Sequence, residues 1–174
     1  MHILKSLFSN KLLLTSGLLM TAIAAQAAPS AQIIQATVDS RSISSDAAVQ
    51  VAQQAVAQCK ADGYAVTATV VDAAGTPLVQ IRDDKAGPHT LSSSYRKAFT
   101  AVSLKKPTAD YADMIAQNPK IDALRDMDER LLFLGGGVPI IINNTIIGGI
   151  GVGGAPGAHL DVECANAGAG IFQQ

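Results

Sequence analysis

The chain has 174 residues, of which 48% are hydrophobic, 4% aromatic and 16% charged, with a formal net charge of −1. That mild acidity argues against a nucleic-acid partner, and no polybasic or amphipathic run suggests a membrane surface. Ala, Val, Ile and Gly dominate a length sufficient for one domain with a real core.

Residues 1–27, MHILKSLFSNKLLLTSGLLMTAIAAQA, read as a secretory signal peptide. Lys5 and Lys11 form its positive n-region, Leu12 to Ala25 its apolar core, and Ala25-Gln26-Ala27 an A-x-A cleavage site. The apolar run is too short to span a bilayer comfortably. The expected product is a periplasmic or secreted protein with no stable membrane anchor. Losing Lys5 and Lys11 leaves 11 of the 13 basic residues against 14 acidic ones, a mature net charge of −3.

Residues 28–42 form a polar lead-in, and 43–174 form the domain. Ser44 or Ser45 caps a first helix in which Val49, Ala52, Val56 and Cys59 recur at helical spacing, and Gly63 stops it. Tyr64 to Val71 is a strand, Asp72-Ala73-Ala74-Gly75 a turn, and Thr76 to Arg82 the returning strand. Asp83 to His89 is a loop. A second helix starts at Thr90 or Ser92 and runs through Leu104, where Lys105-Lys106-Pro107 ends it. Thr108 caps a shorter helix, Ala109 to Gln117, and Asn118 to Arg130 is charged and irregular.

The stretch GGGVPIIINNTIIGGIGVGG, from Gly135 to Gly154, is a β-hairpin. Asn143-Asn144 supplies a turn with positive φ, and β-branched residues on both sides favour strand. The Ile on both faces implies a hairpin buried on both sides or at a subunit contact. The glycines imply close approach of backbone to a ligand or to another part of the protein. A last helix runs from His159 to about Ala167. The order α-β-β-α-α-β-β-α gives one antiparallel sheet in an α/β or α+β sandwich.

Much chemistry is missing. Gly149-x-Gly151-x-x-Gly154 fits a dinucleotide fingerprint, but no parallel strand with an acidic residue follows it. P-loop, nucleophile-elbow, HExxH and CxxC motifs are absent. Cys59 and Cys164 sit in the first and last helices; they form either a disulfide, if those helices are neighbours, or two buried thiols.

The mature chain has two histidines, His89 and His159. His89 precedes a helix start, which favours anions, and Arg96 and Lys97 lie one to two turns on. On spacing alone this is a surface-loop histidine beside ordinary helix charges; the other reading is a haem site, with imidazole on iron and cations on propionates. His159 reads as a surface residue at a helix start. Asp126-Met127-Asp128-Glu129, flanked by Arg125 and Arg130, reads as a solvated salt-bridge face before a metal site.

Three segments together carry a resemblance: AVTATVVDAAGTPLVQIRDD, then YRKAFTAVSLKKPTADY, then GGGVPIIINNTIIGGIGVGGAPGAHLDVECANAG. The chain resembles the GlcG/HbpS haem-binding-type family, also represented by the C-terminal domain of PduO proteins, from about Ile43 to Phe172. The resemblance implies a profilin-like α-β-α fold, assembly into dimers up to octamers, and haem or another tetrapyrrole in some members. Haem degradation is attached to the family name. The segment GPHTLSSSYRKAFTA is similar to exported members with a histidine before this helix. It implies His89 as the axial iron ligand, Thr90 as a secondary oxygen ligand, and Arg96 and Lys97 as propionate contacts. Cytoplasmic relatives often carry a small residue in place of His89. Asp126 and Glu129 only loosely echo the acidic iron-binding pattern of some secreted relatives.

Overall fold

A computed structural model describes residues 38–172, and the folded unit begins at Asp39. The expected signal peptide, 1–27, and the lead-in up to residue 37 lie outside the described residues. The elements are α1 (Ser45–Ala61), β1 (Thr67–Asp72), β2 (Pro77–Arg82), α2 (Thr90–Ser103), α3 (Thr108–Gln117), β3 (Gly137–Ile142), β4 (Thr145–Gly153) and α4 (Ala158–Ala169). A 3-10 segment, Pro119–Asp126, fills the irregular stretch.

The strands form one antiparallel sheet in the order β2-β1-β4-β3. Side chains alternate across a strand, and β1 shows what each face meets. Ala68 and Val70 join Val51, Ala55 and Ala165 in the main core, beneath α1 and α4. Thr67, Thr69 and Val71 point the other way, to Thr90, Ser94 and Ala98 of α2. The result is the expected α-β-α sandwich. Each fully buried Val or Ile of that core contributes roughly 1.5–3 kcal/mol.

The close approach that the hairpin glycines required is made to α2 of the same chain. A Cβ at Gly149 would lie 2.6 Å from Val102 Cγ2, and one at Gly153 would lie 2.7 Å from Ser93 Oγ. A Cβ at Gly151 would press on the Ser94 carbonyl and sit 2.5 Å from the Ala98 nitrogen. The intervening Ile150 and Val152 face the main core. A glycine at every second position therefore gives β4 one smooth face for a helix and one apolar face for the core. Asn143 and Asn144 take φ of 49° and 59°, as the hairpin turn required.

Cys59 and Cys164 form a disulfide, with Cα atoms 5.5 Å apart, because α1 and α4 lie side by side. Ser44 caps α1 by accepting from the Ala47 N–H at 3.3 Å. Thr108 does not cap α3. It is the first helical residue, and its hydroxyl accepts from Gly137 N at 2.9 Å and donates to the Leu134 carbonyl at 2.7 Å. It pins the triple-glycine loop.

Candidate functional site

The loop before α2 is held by its own polar groups. Arg82 Nε donates to the Ala86 carbonyl at 2.9 Å, and Asp83 accepts from Lys85 N at 2.9 Å. His89 is the residue before α2, exposed, with no capping bond from its side chain. Its imidazole folds back over Gly87, where a Cβ would meet the ring Cε1 at 2.6 Å. The imidazole is thus available to a ligand.

Its expected companions are placed differently. Thr90 is 1% exposed. Its hydroxyl donates to the Gly87 carbonyl at 2.6 Å and shares a 2.6 Å hydrogen bond with the Thr67 hydroxyl. Thr90, expected as a secondary oxygen ligand, thus has its oxygen turned into the core by closure of the helix turn. Lys97, expected to meet a propionate, is likewise turned inward. Ser94, Lys97, Ala98 and Ala101 recur at i, i+3, i+4 and i+7, so Lys97 lies on the sheet-facing stripe of α2.

Lys97 is 1% exposed, and its Nζ donates to Asp161 Oδ2 at 2.8 Å and to the Val152 carbonyl at 2.9 Å. Asp161 Oδ1 accepts from Ala155 N at 3.1 Å. Burial pushes the Asp161 carboxyl above its ordinary range, while Lys97 and the N–H groups of Ala155 and Gly154 pull against that rise. The pair ties α2 to the start of α4 under Gly136, whose own Cβ would lie 3.0 Å from Nζ. Arg96 is half-buried; Nη2 donates to the Leu131 carbonyl at 2.6 Å, and the buried Nε has no partner.

The acidic stretch is a salt-bridge face. Asp128 pairs with Arg130 at 2.6 Å and Asp122 with Arg125 at 2.7 Å. The hydrogen bonds from Arg130 hold the Asp128 carboxyl down at about 2. Among the described residues no group of three His, Cys, Asp or Glu is placed to hold a metal ion.

An apolar groove of about 490 Å³ lies between α3 and α4. Ala109, Ala112, Leu134 and Val162 form its walls, and His159 and Glu163 line it as well. His89 is not in its lining. His159 stands exposed at the start of α4, as the sequence suggested, four residues from Glu163 on one helix face. For a haem, the residues present fit in one respect: the exposed imidazole of His89 offers a nitrogen ligand for iron. The groove between α3 and α4 does not add to that fit, because Asp113 and Glu163 line it and no cation does.

The family described as "Haem degrading protein HbpS-like" matches residues 43–170. The chain is 41% identical to a double mutant of HbpS from Streptomyces reticuli, with a TM-score of 0.73 over 79% of this chain and 91% of that one. A solved PduOC:heme complex is 25% identical, with a TM-score of 0.68 over 74% of this chain and 93% of that one. An uncharacterized 15.0 kDa protein in the dhaT-dhaS intergenic region of Citrobacter freundii is 32% identical over 109 residues, 62% of this chain and 77% of that protein. With the sandwich, its glycine-faced hairpin and a match across nearly the whole folded unit, this chain belongs to the HbpS-like family.

Proposed function

We propose that this chain is an exported haem-binding protein that stores, senses or scavenges haem and works as a homo-oligomer, from dimer to octamer. The observation that carries the proposal is the family match over residues 43–170, joined by the likeness to a PduOC:heme complex. The Cys59–Cys164 disulfide supports export, because such bonds persist in oxidising compartments. Bound haem would supply an iron able to take a nitrogen ligand from the chain. The chain's part is to offer an imidazole nitrogen, to shelter the macrocycle from water, and to leave the propionates hydrated or paired with a cation. The resemblance offers His89 as ligand and Arg96 as the cation. Titrating the purified protein with hemin tests the reading: a Soret band that saturates at a fixed ratio to protein supports it, and a trace indistinguishable from free hemin sinks it.

The family's description favours a second reading, haem degradation. It requires an electron donor. Incubating the haem complex with ascorbate separates the two: bleaching with biliverdin-like bands indicates degradation, and an unchanged Soret band indicates a carrier.

A further inference from the structure

We infer that the groove between α3 and α4 is a site for a small organic ammonium ion that carries an apolar body. His89 does not line it, so the site needs no haem. Small side chains make the space. Ala109 and Ala112 share one face of α3 with Asp113, and the spacing of Ala158 to Val162 and of His159 to Glu163 sets a matching stripe on α4. Gly135 brings its loop close to α4: a Cβ there would lie 3.2 Å from both the Ala158 carbonyl and Val162 Cγ2. The remaining cavity, about 490 Å³, has the size of a small-molecule site. Leu134, 46% exposed, leaves apolar surface uncovered in its lining, and covering such surface is the main driving force for taking up an apolar body.

Charge then selects the occupant. Asp113 and Glu163 are exposed carboxylates on the two helices that form the groove, and no Lys or Arg lines it. Neither carboxylate is in a salt bridge among the described residues. An anion entering the groove meets two like charges, whereas a cation meets two opposite ones. Exposed ion pairs contribute little affinity each, so the apolar walls supply the affinity and the carboxylates choose the sign. A bare metal ion does not suit these walls, and among the described residues no group of three His, Cys, Asp or Glu is placed to hold one. An amine with an aromatic or aliphatic body meets both demands.

Three probes share one body and differ in charge: phenethylamine, phenethyl alcohol and hydrocinnamate. Each is titrated into the purified protein at low ionic strength and followed by calorimetry. Phenethylamine is expected to bind tightest, about tenfold tighter than hydrocinnamate, with the gap narrowing as salt is added. Replacing both carboxylates, Asp113→Asn with Glu163→Gln, is expected to bring the three probes to within about twofold of one another. Ala112→Phe fills the groove and should abolish binding of all three. Asp113→Lys, a change at an exposed residue with little risk to folding, should shift the preference toward hydrocinnamate while the thermal melt stays as in the wild type. Equal binding of the three probes by the wild type, tighter binding of hydrocinnamate, or binding of none overturns the assignment. So does a preference for the amine that survives loss of both carboxylates.

Discussion

Lys97 and Asp161 show how one buried pair can hold two elements together. Neither charge has water to fall back on, so removing one partner strands the other. Lys97→Met is expected to cost about 3–5 kcal/mol at neutral pH, measured by urea denaturation. In that variant Asp161 loses the pull of Lys97, so its folded-state pKa, already raised by burial, rises further. A carboxyl whose pKa is raised by folding opposes stability only above its unfolded-state pKa. The deficit of Lys97→Met should therefore shrink as pH falls through the carboxylate range, and replacing Asp161 by Leu as well should recover much of the loss. A deficit independent of pH would remove Asp161 from this role. The position of Lys97 on the inner stripe of α2 was legible from its spacing with Ser94, Ala98 and Ala101. Its partner was not, because 64 residues separate the two and no local pattern encodes the contact.

At the scale of elements, β4 and α2 are matched surfaces. Gly151→Ala should cost about 3 kcal/mol, because its Cβ would meet α2 backbone, which cannot yield as a flexible side chain can. Gly63 is the control. Its φ is +86° with nothing within 4 Å of an added Cβ, so Gly63→Ala should cost only about 1–2 kcal/mol, the backbone penalty alone. Equal losses in thermal melts would refute the packing account. Likewise, reducing Cys59–Cys164 should lower stability by about 2–4 kcal/mol, seen as a lower melting temperature in reductant. The hairpin, its Asn-Asn turn and the order of elements were readable from local residue chemistry. What β4 packs against was not, since a glycine stripe signals closeness without naming the neighbour. The disulfide depended likewise on helix adjacency, a property of the fold alone.

For the whole molecule, the sheet divides two tasks. One face holds α1 and α4, joined by the disulfide; the other holds α2, which carries His89 at its start and Lys97 in its interior. The groove belongs to neither face alone. It forms where the starts of α3 and α4 meet the Leu134-Gly135 loop, segments far apart in sequence, so no motif could announce it. Export adds its own expectation: the protein recovered from the periplasm or medium should have the mass of a chain beginning at Ala28, and an intact Met1 would contradict the signal-peptide reading. The central claim is that this fold takes up haem. It is tested most directly by the absorption spectrum of the purified protein after incubation with hemin and desalting. A Soret band that co-elutes with the protein in fixed proportion is predicted; a colourless protein fraction, with all the hemin retained separately, would contradict the account.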